Sequence, residues 1–185
     1  MARIELKPGI VNYPMPVVLV GTSLAGSDDF MTVAWMSMVS HTPPRVAVSL
    51  GPHLTRNRIH ETGAFSICVP SAKDLVDVDW CGIVSGAKVD KSKAFDVFRG
   101  HTGVPLIESC GLNVECRLDH VDANESNETF VGDVVAIYAD EAVLTDGKVD
   151  LEKLDPLVLS QLDARYLTLG TVAGHAWRDG RRHEG

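Results

Sequence analysis

One stretch constrains the fold of this chain more than any other: FMTVAWMSMVSHTPPRVAVSL, residues 30–50. Two runs of apolar and β-branched residues flank a Thr-Pro-Pro turn, and prolines, which lack an amide donor, stop a sheet ladder. Side chains of an extended run alternate between two faces. Thr32, Ala34, Met36 and Met38 share one face, and Met31, Val33, Trp35, Ser37 and Val39 the other. Neither face carries a charge. In a barrel one face points inward, and the other must be covered by a helix, a second subunit or a flat ligand. Ala34, Ser37, Ala47 and Ser49 are small, so a planar group has room to lie against the backbone. Taken alone, the stretch is better explained by a core tryptophan among gap-filling methionines.

The rest of the chain reads as short strands joined by turns. PVVLVGT (16–22) is a buried strand and SLAGSDD (23–29) a turn; residues 30–40 form the second strand, HTPP (41–44) a tight connection and RVAVSL (45–50) the third. LTRNRIHETG (54–63) reads as a short helix, with Thr55 as N-cap and Gly63 in the left-handed C-terminal position. AFSICV (64–69) is a strand, and residues 73–82 and 90–98 read as helices joined by a Gly/Ser loop. LNVECRLDHV (112–121) alternates as a strand, and NESNE (124–128) is a polar turn. Residues 129–144 form one long strand or two, bent near Gly132 or at Ala139–Asp140. Residues 166–177 are extended, and RDGRRHEG is a frayed charged tail. Six or seven strands with two or three short helices predict a mainly β, antiparallel barrel, not a doubly wound sheet.

Length and charge narrow the function. A chain of 185 residues fits one domain with its own core. The net charge of −8 argues against nucleic acid, whose phosphates need a basic face. No apolar run is long enough to span a bilayer, and MARIELKPGIVNYP lacks the features of a signal peptide, so a cytoplasmic protein with no membrane partner is expected. Cys68, Cys81, Cys110 and Cys116 form no CxxC pair, and HETG is not HExxH, so no metal site is expected. Cys68 and Cys81 read as buried thiols. SLGPHLTRNR (49–58) places His53, Thr55, Arg56 and Arg58 at a helix start, where exposed amides attract anions. An ordinary capped surface helix with solvated arginines explains that stretch as well. GIVSGAKVDK (82–91) supplies Lys91 after a Gly/Ser loop, without P-loop spacing.

In order and spacing, PMPVVLVGT, DDFMTVAWMSMVSHTPPRVAVSL, HLTRNRIHETGAFSICVPS, DWCGIVSGAKVDK, PLIESCGLNVECRL, FVGDVVAIYADE and LDPL…RYLTLG resemble the flavin reductase-like, FMN-binding split-barrel proteins, and more closely their flavoredoxin branch. The resemblance implies an antiparallel six-stranded split β-barrel of Greek-key type with a few short helices. A single FMN-binding domain would cover residues 1–175, with a charged tail at 176–185. It implies a homodimer with one FMN per subunit near the interface. Thr32, Val33, Ala34 and Trp35, with Ser49 and Leu50, match positions that line the isoalloxazine; His53, Thr55 and Lys91 match positions near the ribityl chain and phosphate. Tyr166 sits where the family often has an aromatic residue close to the ring. Asp29 stands where Asn is common, and a carboxylate cannot donate the amide's hydrogen bond. Asn127 falls near a place where many members carry His. The implied activity passes electrons from NADH or NADPH through FMN to an acceptor, with no catalytic acid or base from the protein. Two other readings remain: a flavoredoxin-type carrier between redox partner proteins, and a barrel that has lost its cofactor.

Overall fold

In the computed structural model, which describes residues 2–184, the apolar runs pair into one antiparallel sheet that rolls up on itself. Met1 and Gly185, the outer ends of the expected domain and tail, lie outside the described residues. Strand β1 (Met15–Pro16) leads into β2 (Val18–Leu24), β3 (Ser27–Val33), β4 (Met36–His41) and β5 (Pro44–Leu50). Helix α1 (Leu54–Thr62), β6 (Ala64–Val69) and α2 (Leu75–Ile83) follow. Strands β7 (Val97–Arg99) and β8 (Pro105–Ile107) pair with each other, ahead of the long strands β9 (Leu112–Ala123) and β10 (Glu128–Ala139). After β11 (Leu144–Thr145), β12 (Lys148–Val149) and α3 (Leu151–Leu154) comes a hairpin of β13 (Val158–Ser160) and β14 (Arg165–Leu167), to which β1 adds.

The main sheet runs β3-β2-β6-β9-β10-β5-β4. Its two end strands are consecutive in sequence. The second predicted strand is therefore two strands, broken at Ala34–Trp35, and its halves form the two lips of the split. Counted as one run, they leave the six strands expected. The break also ends the alternation: Val33 is buried, whereas Trp35 is 40% exposed and lies outside the barrel core. The predicted turn at 23–29 contracts to Ala25–Gly26, both at positive φ, so β3 already starts at Ser27.

The barrel interior follows from period-two burial. Val46, Val48 and Leu50 of β5 point inward, while Arg45, Ala47 and Ser49 do not. They pack with Phe65, Phe130 and Ile59, and each such side chain contributes about 1.5–3 kcal/mol when fully buried. The bend expected at Gly132 is present as a register shift between Val131 and Gly132; a Cβ there would stand 2.7 Å from the Phe65 ring. A second cluster, with Leu19, Phe30, Val78, Cys81 and Leu157, lies beneath α2. All four cysteines are buried and free; burial pushes the thiol of Cys68 up to about 12 and that of Cys81 to about 11.

Other local expectations need correction. His53, not Thr55, is the N-cap of α1, although Gly63 does end it at φ 64. Residues 90–98 form only a 3-10 turn at Lys91–Ala94 before β7. The long strand stops at Ala139, because the Asp140 carboxylate accepts from the Ala142 amide and starts a 3-10 turn. The last extended segment pairs only as far as Leu167, and the tail coils into a 3-10 turn at Asp179–Glu184.

Candidate functional site

Strand β3 is fixed on one side and open on the other. The Arg58 guanidinium of α1 donates to the Ser27 carbonyl (2.8 Å) and hydroxyl (3.2 Å), and Thr55 Oγ1 donates to Asp29 Oδ2 (2.6 Å). From the second helix side, Thr32 Oγ1 donates to the Val78 carbonyl of α2 (2.5 Å). Strand β2 takes one edge of β3. As the end strand of the sheet, β3 presents the backbone groups of its other edge. That edge, Met31 to Trp35, opens into a cleft of about 360 Å³.

The cleft's other walls come from distant segments. Ser49 of β5 and Asn127 line it, joined by a 3.3 Å hydrogen bond from Asn127 Nδ2 to Ser49 Oγ. Leu159 and Gln161 of the β13–β14 hairpin close another side, where Trp35 Nε1 donates to Gln161 Oε1 at 3.0 Å. Gly51 and His53 line the approach to α1. The His53 side chain makes no capping hydrogen bond and the first turn carries no acidic residue of its own, but the Asp29 carboxylate stands against that turn through Thr55 Oγ1. The cleft thus joins a wall of small side chains and edge-strand backbone to the start of α1.

Of the residues expected at the site, Thr32, Val33, Ala34, Trp35, Ser49 and His53 meet in this cleft. Leu50 does not line it: two residues on from Val48, it lies in the barrel core. Tyr166 does not line it either; its hydroxyl donates to Asp79 Oδ1 at 3.0 Å. Burial, and after it that hydrogen bond, push the Tyr166 phenol up to about 12. Asp29, Thr55 and Lys91 are buried beside α2 and its following loop. Lys91 Nζ donates to the Cys81 carbonyl at 3.0 Å. Asp29 Oδ1 has no partner, nor has the hydroxyl of Thr22, which faces Asp29 across β2–β3. Gly86 covers Asp29 so closely that a Cβ there would stand 2.1 Å from Oδ1. Sequence reasoning missed Met31, Gly51, Leu159 and Gln161. Met31 and Gly51 adjoin expected positions, whereas the short hairpin strands give no signal for Leu159 or Gln161.

An antiparallel sheet split along one strand, with a flat-walled cleft at the split, defines the class of flavin reductase-like split barrels. The chain belongs to the flavin reductase like domain family, which matches residues 10–167. Flavoredoxin from Methanosarcina acetivorans is 38% identical, with a TM-score of 0.95 over 99% of this chain and 100% of that one. Flavoredoxin of Desulfovibrio vulgaris is 29% identical, with a TM-score of 0.91 over 97% and 100%. An FMN-binding protein from Thermus thermophilus, solved with bound 1-cyclohex-2-enone, is 27% identical with a TM-score of 0.79 over 94% and 100%. The uncharacterized protein YddH of Escherichia coli is 36% identical over 138 residues, 70% of this chain and 72% of its own. Among the described residues no helix is long and apolar enough to cross a membrane.

Proposed function

We propose that this chain is an FMN flavoprotein that passes electrons from NADH or NADPH through the bound flavin to an acceptor. The observation that carries the reading is the open edge Met31–Trp35, a backbone lip beside small side chains and an indole. A tricyclic ring with polar edges fits such a wall: edge-strand amides and carbonyls meet its heteroatoms, and Ala34 and Ser49 let it approach. The cleft volume lies in the ordinary range for cofactor sites. The start of α1 at His53, where no side chain caps the helix, would offer amides to the anionic end of the same molecule, with Asp29 opposing it from the side of Thr55. Bound FMN would supply the redox chemistry, accepting a hydride and releasing electrons; the protein's part is to hold and orient it. Thr32, Val33, Ala34, Trp35, Ser49 and His53 would hold it, and Lys91 would serve the phosphate from the adjoining buried cluster.

A homodimer belongs to the same reading. Met38 and Val39 on edge strand β4, and Ile137 on β10, are all more than half exposed. An apolar edge strand without charge is a pairing surface unless covered. Sedimentation at micromolar concentration tests this, and a clean monomer that binds FMN tightly would contradict it. The two flavoredoxins favour a second reading, a carrier that exchanges electrons with a partner protein and does not oxidise nicotinamide. Purified protein incubated with FMN and desalted should be yellow, and steady-state NADH and NADPH oxidation then separates the readings. Protein that stays colourless in excess FMN sinks both.

A further inference from the structure

Trp35 is an unusual wall for a cleft, because little packs behind it. On its far side lies a second recess of about 260 Å³, lined by Ile10, Val11, Tyr13, Met15 and the indole itself. At 40% exposure the ring has space to turn away from the cleft. One polar contact opposes that: Nε1 donates to Gln161 Oε1 at 3.0 Å. Gln161 is in turn held by its neighbours. Asn12 Nδ2 donates to Ser160 Oγ at 3.1 Å, and Asn12 Oδ1 accepts from the Leu162 amide at 3.2 Å, so Asn12 grips the loop on both sides of Gln161. Residues 149 apart in sequence thereby set where the indole stands.

We propose that Gln161 is a positioning residue of the cleft: it fixes the Trp35 indole as the side wall, and Asn12 fixes Gln161. The inference builds on the flavin reading of the cleft. Losing Gln161 frees the indole to turn into the recess, which widens the cleft and removes a face that the ligand ring would contact. Without Gln161 the indole loses the hydrogen bond that favours its place in the cleft wall.

The test uses the full chain with Gln161→Leu, Gln161→Glu, which retains an acceptor, Asn12→Ala, and each of these combined with Trp35→Phe. Acrylamide quenching of the apoprotein gives the accessibility of Trp35, as the difference between each protein and its Trp35→Phe counterpart. FMN titration gives affinity. Gln161→Leu should change the Trp35 quenching constant about twofold, as the indole leaves its place in the cleft wall, and weaken FMN about 3- to 10-fold, the range of one hydrogen bond. Asn12→Ala should do the same in weaker form, and Gln161→Glu should restore the wild-type quenching. In the Trp35→Phe background Gln161→Leu should alter FMN affinity less than twofold, because the pair acts as one unit. Unchanged quenching in both Gln161→Leu and Asn12→Ala overturns the proposal. An equal FMN loss with and without the indole overturns it too. Wild-type protein that binds no FMN overturns the flavin reading instead, and the quenching comparison still decides the role of Gln161. If Gln161→Leu fails to fold, Asn12→Ala and Gln161→Glu carry the comparison alone.

Discussion

Lys91 offers the sharpest test of how the buried cluster serves the cleft. It is 4% exposed, and its ammonium makes one hydrogen bond, to the Cys81 carbonyl at 3.0 Å. An ammonium has three donors, so two remain for another acceptor. In a chain of net charge −8, a bound phosphate needs a local cation. Lys91→Met removes the charge and keeps the length of the stem. One hydrogen bond between charged groups is worth roughly 1.5–3 kcal/mol, so FMN should bind about 10- to 100-fold more weakly. Riboflavin shares the ring and ribityl chain but lacks the phosphate, and its affinity should change far less. Fluorescence titration of both ligands into apoprotein measures the two losses, with the urea midpoint recorded alongside. The competing account is that Lys91 only caps the last turn of α2. The variant would then lose about 0.5–1.5 kcal/mol of stability and weaken both ligands alike, and equal losses refute the phosphate role.

Three further outcomes follow from the same region and its supports. Gly86→Ala should cost about 1–3 kcal/mol by overpacking, seen in the urea midpoint, since its Cβ would meet Asp29 Oδ1 at 2.1 Å; pairing it with Asp29→Ala should recover part of the loss. Asp29→Asn keeps an acceptor for Thr55 and removes a buried carboxylate beside the start of α1, so FMN should bind several-fold tighter in a fluorescence titration. Burial alone would raise the Glu115 carboxyl, but donors from the Thr102 amide and hydroxyl, the His101 amide and the Tyr138 hydroxyl hold it below the usual carboxylate range. Its stabilisation is therefore full above about pH 4.3, the unfolded glutamate value, and is lost as pH falls through the lower folded value. Urea midpoints against pH should show a steeper acid loss in wild type than in Glu115→Gln, and parallel curves would contradict this.

Local pattern carried the parts of the fold where one rule acts alone. Residues 45–50 were legible as a strand, and its alternation explains why Leu50 lies in the core with Val46 and Val48, whereas the family resemblance drew Leu50 toward the site. Left-handed Gly63 and the bend at Gly132 were legible because glycine permits what other residues resist. The split was not. No glycine or proline marks Ala34–Trp35; the break is held by Met36 N–H to the Ala34 carbonyl (3.1 Å) and Ser49 N–H to the Trp35 carbonyl (2.9 Å), a local turn and a long-range bond. Thr55 was misread for a related reason. Its partner, Asp29, is 26 residues away, so a hydroxyl near a helix start looked like a cap. Gln161 lies 126 residues from Trp35, and nothing in its neighbourhood announces the contact.

The split itself has an energetic consequence that can be located on the chain. A closed barrel would pair every ladder group, whereas here β3 and β4 end the sheet on either side of Ala34–Trp35. Exposed edges invite pairing with other chains, and in this fold one edge is instead held in shape by α1 and α2 through Ser27, Asp29 and Thr32. A ligand that covers the lip supplies the partners the barrel forgoes. FMN at 100 times its Kd should then stabilise the protein by about 2.7 kcal/mol. Hydrogen exchange should slow most at residues 31–35 and 49–53, and little in β7–β8, which do not line the cleft. Protection spread evenly over the chain would mean that the ligand acts only by mass action on global unfolding. Protection confined to the Lys91 loop would move the binding site away from the split.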